Sequence, residues 1–364
     1  MCKRIFKEQT SDEGEVPFYK IGTFGSEPDA FISRELFNEY KTKYPYPNKG
    51  DILISASGSI GRTVEFTGRD EYFQDSNIVW LKHGNEIDNS FLKVLYSVIE
   101  WSCEGSTIKR LYNDNFLKTE FMLPKIDEQI KIGNYFSNLD HLITLHQRKC
   151  EQTKKLKKYM LQKMFPQNGA KVPEIRFDGF TYDWEQRKLS ELLEKYEDPV
   201  ETPHDGYERV GIRSHAKGTF HSFVEPGKEL DTAKMYRVAA DKFILNITFA
   251  WEHAVAITDN NDAGKLVSHR FPQFSFNPKL KPHFFKYLML DKKFREHLEL
   301  SSPGGAGRNR VLKIFDMLKY EIKLPSIEEQ IKIGEYFDSL DYLITLHQRQ
   351  TDFYKKISFY YISS

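Results

Sequence analysis

Three residues in "DMLKYEIK", Asp316, Glu321 and Lys323, have the types and order of an Asp…Glu-x-Lys metal-nuclease centre, in which two carboxylates hold a cation and a lysine steadies an oxyanion. The corresponding stretch earlier in the chain carries "EFM". In this phase Tyr320 and Ile322 continue an apolar alternation, so the segment is expected to be an edge strand rather than a centre. Other chemistries find still less. "NNDAGKL" places Gly264 before Lys265, but it has neither the upstream glycine nor the following Ser/Thr of a phosphate-binding loop. No G-x-G-x-x-G follows a strand pattern, and no Asn/Asp-Pro-Pro-Tyr of an adenine methyltransferase occurs. Cys2, Cys103 and Cys150 lie far apart without metal-ligand spacing, which argues against disulfides and zinc. His146 and His347 have no neighbouring carboxylate cluster and read as packing histidines on a helix. The expectation is a chain that is not an enzyme, with no cofactor or metal of its own.

These two histidines belong to the main organisational feature. Residues 123–149 and 324–350 are identical at 20 of 27 positions, 201 residues apart. That offset is too long for a solenoid repeat and suits two tandem domains. The preceding segments look unrelated in sequence but alike in outline. Each has short β-type runs, "GDILISASGSIGRTVEF" and "SNIVWLK" in the first half and "KFILNITFAWEHAVAIT" in the second. Each then has an amphipathic helix, expected at residues 90–101 and 283–298. A Gly/Ser loop follows, "CEGSTIKR" or "SSPGGAGRNR", and then the repeated segment. Pro124 and Pro325 with acidic residues after them mark the start of a helix.

Each repeat is expected to be one long helix. Leu139, Leu142, His146, Cys150, Thr153, Leu156 and Met160 recur at steps of three and four. Leu340, Leu343, His347, Thr351, Tyr354, Ile357 and Tyr361 do the same in the second copy. Two nearly identical seams most simply pack on one another, antiparallel, although each helix alternatively covers its own domain's core. Residues 127–165 as one helix would measure roughly 58 Å, more than a turn of B-DNA.

Bulk properties agree with a globular chain of two domains. Of 364 residues 40% are hydrophobic and 29% charged, with a formal net charge of +1. No apolar run approaches a membrane span, and "MCKRIFKEQT" lacks a signal-peptide core, so a cytoplasmic location is expected.

Together "PEIRFDGFTYDWEQRKLSEL", a β-rich domain and "LPxIxEQIKIGxYFxxLDxLITLHQR" resemble the specificity subunit of type I restriction–modification enzymes. The resemblance implies an α+β fold of two tandem β-rich target-recognition domains, each followed by a long helix, paired as an antiparallel coiled coil with pseudo-twofold duplication. The expected boundaries are 1–124 for recognition domain 1, 125–166 for helical region 1, 167–183 for a linker, 184–325 for recognition domain 2 and 326–364 for helical region 2. It also implies the partners: double-stranded DNA, two methyltransferase subunits docked on the helices, and motor-nuclease subunits in the full complex, with no membrane. AdoMet, ATP and Mg would sit only on those partners. Relative to the family, the first half lacks an equivalent of "FDGFTYDWEQRKLSELLEKY" and is expected to be truncated at its N-terminus. The C-terminal "YKKISFYYISS" is atypical. The alternative reading is a protein–protein scaffold that assembles with partners without reading a site.

Base readout needs donors and acceptors on loops, with cations for phosphates. In the first domain the candidates are Ser57, Ser59 and Arg62, then Gln74 and Asn77, then Lys109, Arg110 and Asn113. In the second they are Arg213, His215 and Lys217, then Trp251, Glu252 and His253, then Arg308, Asn309 and Arg310. For helix pairing and partner docking they are Leu139, Leu142, His146, Leu340, Leu343 and His347. The run Arg148, Lys149, Lys154, Lys155, Lys157 and Lys158 is expected to be a solvated helix face.

Overall fold

The computed structural model describes residues 1–104, 109–167, 169–230, 232, 234–304 and 310–363. The chain divides into two compact units. One comprises Met1–Arg148 with His347–Ser364, the other Lys149–Leu346.

In the first unit, two three-stranded sheets enclose one core between them, and the second sheet shares another with a helix. Val16–Tyr19 lies between Phe31–Ile32 and Tyr72–Phe73, and Ile52–Ser55 lies between Thr63–Glu65 and Ile78–Trp80. Ile52–Ser55 is buried along its whole length. Its alternate side chains therefore feed both cores: Leu53 joins Phe18, Phe37 and Tyr72, while Ile52 and Ile54 join Leu92, Leu95 and Tyr96. The latter three come from the helix Asn89–Val98, which Asp88 caps by accepting the Phe91 N–H at 2.9 Å.

The second unit is larger. A five-stranded sheet orders Thr219–Val224, Tyr207–Ile212, Leu266–Val267, Lys234–Arg237 and Pro199–Glu201. A four-stranded sheet orders Val255–Ile257, Phe243–Leu245, Gln273–Phe276 and Leu193–Tyr196. Glu321–Leu324 forms a separate antiparallel pair with Glu185–Lys188. The helix expected over 283–298 is two helices, Pro282–Leu288 and Lys292–Leu300. Asp291 separates them, because its side chain accepts the Lys293 N–H and caps a new helix rather than continuing the old one.

The repeats form helices Ile126–Lys163 and Ile327–Ser363, of 38 and 37 residues. Each unit contains a stretch of both, and within each the direction of pairing can be read from its contacts. In the first unit Tyr135 meets Tyr361 edge-on, while His146 stacks on Tyr354 and lies 3.1 Å from His347, Nδ1 to Nδ1. In the second, the Cys150 thiol points to the Ile344 carbonyl, Lys157 pairs with Asp341 at 2.5 Å, and Phe165 stacks on Phe337. Rising numbers on one helix meet falling numbers on the other, so the pairing is antiparallel. One ring nitrogen of the histidine pair must donate and the other accept, so the two rings hold complementary protonation patterns at Nδ1.

The seam differs in detail from its expected positions. Leu139, Cys150, Leu340 and Thr351 are buried, but Leu156 and Leu343 face outward and Lys157 and Ile344 take the inner positions. Lys157 is not a solvated cation as the basic run suggested. Its ammonium lies 5.1 Å from the centre of the Tyr287 ring and reaches Asp341.

Segment 172–184 lies along the N-terminal part of Ile327–Ser363. Arg176 makes a bidentate pair with Glu329, at 2.7 and 2.8 Å, and the Glu329 side chain is only 1% exposed. Removing one member of such a pair strands a buried charge, so Arg176→Ala is expected to cost about 3 kcal/mol or more, whereas Arg176→Met combined with Glu329→Met comes out near neutral. Chemical denaturation of the three proteins checks this.

Candidate nucleic-acid interface and its supporting joints

The first candidate loop is built on a hairpin. The Ser55 hydroxyl donates to the Ser59 carbonyl at 2.5 Å and accepts the Arg62 N–H at 2.9 Å, closing the loop between them. Gly58 and Gly61 sit at φ +66° and +88°, left-handed values that favour glycine. Ser57 is buried, and its hydroxyl donates to Asn77 Oδ1 at 2.7 Å. Arg62 donates to the Ile21 carbonyl at 2.7 Å and lies over Phe24, while the Gln74 side chain accepts the Ile21 N–H at 2.9 Å. Ser57, Arg62, Gln74 and Asn77 thus bind three loops of this domain to one another. Ser59, Lys109, Arg110 and Asn113 remain exposed. Arg110 and Asn113 border a cleft of about 560 Å³ together with Ala56, Ser76 and Lys118.

In the second unit, loop 213–218 is zipped to loop 250–253. His215 and Ala216 adopt left-handed φ values of 63° and 51°. Their N–H groups donate to the carbonyls of Glu252 and His253 at 2.9 and 2.8 Å, and the Ser214 hydroxyl donates to the Glu252 carboxylate at 2.7 Å. Arg213 bonds the Thr219 carbonyl and covers Phe220. Arg310 lies 5.3 Å above the Trp251 ring, whose indole N–H is bonded to the Thr248 carbonyl. The exposed members are Arg213, His215 and Lys217, with Trp251, Glu252 and Arg310 half-buried beside them. His253 departs from its expected role. Its ring is buried and bonded to the Met289 carbonyl at 2.8 Å, and burial lowers its pKa, so it serves the core. Arg308 and Asn309 lie outside the described residues, as do residues 105–108 and 305–307 of the two glycine loops.

The trio in "DMLKYEIK" does not converge. Asp316 pairs with Lys319 at 2.8 Å, Glu321 is bonded to Gln186, and Lys323 reaches the carbonyls of Gly169 and Ala170.

Sequence reasoning missed what the repeat preserves most closely. Gln129 is buried and satisfies three backbone groups: it accepts the Asp88 N–H at 2.9 Å and donates to the carbonyls of Glu86 and Pro124 at 3.0 and 2.9 Å. Gln330 does the same with the Lys281 N–H and the carbonyls of Lys279 and Pro325, at 2.9, 2.9 and 3.0 Å. One turn later stand Gly133 and Gly334. A Cβ at Gly133 would lie 2.7 Å from the Phe91 nitrogen and from Ser90, and one at Gly334 3.1 Å from His283. Each long helix is therefore joined to the start of a domain helix, Asn89–Val98 in the first unit and Pro282–Leu288 in the second, by the same amide and the same bare helix face. The signal was available in "EQIKIG", identical in both copies.

Around the second joint, Tyr287 Oη lies 2.6 Å from Asp338 and 2.9 Å from Asp341, and burial together with these carboxylates raises its pKa far above the usual range. Burial alone would raise Asp338, but hydrogen bonds from Lys286, Tyr287 and His283 outweigh it and hold the carboxyl below its ordinary value. Beside this network Ile331, Tyr342 and Leu343 line a groove of about 850 Å³.

The sequence profile of the type I restriction modification DNA specificity domain matches residues 1–155 and 182–352, most of the chain. The chain belongs to this specificity family. A Haemophilus influenzae protein named as a type I restriction enzyme specificity subunit, S.HindORF215P, is 55% identical over 149 residues, a stretch that is 40% of this chain and 39% of that relative. The Methanocaldococcus jannaschii MjaVIII specificity subunit is 24% identical over 327 residues, covering 84% of this chain and 75% of that protein. The fold is similar to the crystal structure of a type I restriction–modification S subunit from M. genitalium. That comparison has a TM-score of 0.55 at 15% identity and covers 99% of this chain and 91% of the other. No helix among the described residues is long and apolar enough to cross a membrane.

Within this family member the two joints differ in tolerance. Alanine improves helix propensity by about 1 kcal/mol over glycine, while overpacking against backbone costs about 1–3 kcal/mol. Gly133→Ala is expected to destabilise the protein and Gly334→Ala to come out near neutral, as read from thermal unfolding of the two variants.

Proposed function

We propose that this chain is the DNA-reading subunit of a type I restriction–modification complex, with residues 1–124 and 184–325 each reading one half of a bipartite site. The observation that carries the reading is the combination of two unlike domains with one repeated joint and helix. A reader of two different half-sites needs divergent binding faces, and two identical partners need a duplicated frame. The frame, residues 125–166 and 326–364, takes two methyltransferase subunits and, through them, the motor-nuclease subunits. The groove beside Ile331, Tyr342 and Leu343 supports one such docking position. The chain contributes no catalysis, and AdoMet, ATP and Mg belong to its partners in the cytoplasm.

In this reading, exposed and half-buried side chains at the loop surfaces touch DNA, while those bonded from one loop to another set the loops. Lys109, Arg110, Lys217 and Arg310 meet phosphates. Ser59, Asn113, Arg213, His215 and Trp251 border the bases, and Arg308 and Asn309 are further candidates for contact. Ser57, Arg62, Gln74, Asn77 and Glu252 hold the loops in place. A gel shift with the reconstituted methyltransferase complex tests the proposal. Sequence-selective binding that weakens steeply with salt is expected. Lys109→Ala or Lys217→Ala should weaken all sites about equally and reduce the log–log salt slope by about one. Assembly with the methyltransferase but no DNA preference would favour the scaffold reading instead.

A further inference from the structure

Arg213 is the first residue beyond the strand Tyr207–Ile212, and its backbone N–H donates to the Gly218 carbonyl at 3.0 Å to close the loop. Its side chain is held at two points. Nη1 bonds the Thr219 carbonyl, and the guanidinium lies 5.3 Å from the centre of the Phe220 ring. Phe220 is itself seated. It stands opposite Gly211 across the strand pair, and a Cβ at Gly211 would fall within 2.9 Å of three atoms of the ring. Only glycine leaves the strand bare enough for the ring to lie there. The loop is fastened in turn to residues 252 and 253, whose carbonyls accept the N–H groups of His215 and Ala216.

These anchors leave one edge of the guanidinium unused. Among the described residues Nε and Nη2 of Arg213 have no hydrogen-bond partner, and no carboxylate pairs with it. Nε and Nη2 present two parallel donors, a fork that takes two adjacent acceptors. Elsewhere in this chain the same edge of Arg176 grips both oxygens of Glu329, at 2.7 and 2.8 Å. Other arginines of the candidate loops are committed differently. Arg62 spends Nη2 on the Ile21 carbonyl, and Arg310 pairs with Glu299 at 3.4 Å while lying over Trp251. Among the described residues nothing anchors the Arg110 side chain. Arg213 alone of these four combines a fixed plane with an open fork.

We propose that Arg213 reads a guanine through this edge, with Phe220 as the positioning residue that aims it. The inference rests on the reading of residues 184–325 as the reader of one half-site, and it names the base at one position there. In the major groove guanine offers O6 and N7 side by side, the acceptor pair that a two-donor fork matches. Adenine sets a donor beside N7, and neither cytosine nor thymine shows two adjacent acceptors. Neutralising a phosphate needs no fixed plane, and the neighbouring Lys217, which nothing among the described residues anchors, suits that task. Holding the fork in place before DNA arrives removes the cost of ordering a long side chain on binding.

The test uses the full chain reconstituted with the methyltransferase, in competition binding against duplexes altered one base pair at a time. The unaltered complex should prefer guanine at one position of one half-site by about 5- to 150-fold. Arg213→Ala should abolish that preference and leave every other position, including the whole of the other half-site, as it was. Phe220→Leu should reduce the same preference while thermal unfolding and assembly with the methyltransferase stay unchanged, a selectivity that a merely structural role would not produce. If Arg213→Ala instead weakens all duplexes alike, with the motif intact and the salt slope lower by about one, Arg213 sits on a phosphate. That result would overturn the inference while the reader assignment stands. Full guanine preference in Phe220→Leu would overturn the positioning role. A complex that shows no sequence preference before any substitution would overturn the reader assignment itself, and the inference with it.

Discussion

A buried primary amide, used twice, fixes how this chain is put together. Gln129 and Gln330 each satisfy one N–H and two carbonyls of the backbone. A buried amide that lost one of these partners would leave a desolvated polar group. Because the bonds go to backbone rather than to particular side chains, the domain that receives the helix is free to change its sequence. Gly133 and Gly334 add the second condition, a helix face bare enough for another helix's first turn to approach. This explains why a short segment is copied closely while its surroundings diverge: the joint demands identity and the domains do not.

Each unit pairs its stretches of the two long helices by a different mixture of contacts. Rings dominate in the first, with His146 stacked on Tyr354 and tilted against His347. In the second a lysine–aspartate pair and a thiol accompany the aromatic stack of Phe165 on Phe337. Such seams are poor in leucine, and that is why their register was only partly legible in the sequence. The three–four spacing placed Leu139, Cys150, Leu340 and Thr351 inside correctly. It could not show that Lys157 would set its ammonium over Tyr287 and against Asp341 while Leu156 faces outward.

The tandem organisation was legible in the repeat, and the α+β class and the antiparallel pairing in the β-type runs, the helical seams and the family resemblance together. The break at Asp291 was not, because a helical pattern of charges and aromatics continues through it and only the cap reveals the interruption. The recognition loops were hardest. Polar side chains on glycine loops look alike in sequence whether they face solvent, as Ser59 does, or bind neighbouring loops together, as Ser57 and Asn77 do. His253 illustrates the same ambiguity, since only its carbonyl partner from Met289 reveals a core histidine.

If the repeated helices are the frame and the unlike domains the readers, the two halves of the recognised site must be separable. Replacing residues 184–323 with the matching domain of another family member, in cells that carry the methyltransferase subunit, and mapping the methylated adenines tests this most directly. The account predicts a methylated motif in which one half-site changes and the other half-site stays as it was. A motif in which both halves change together would contradict it.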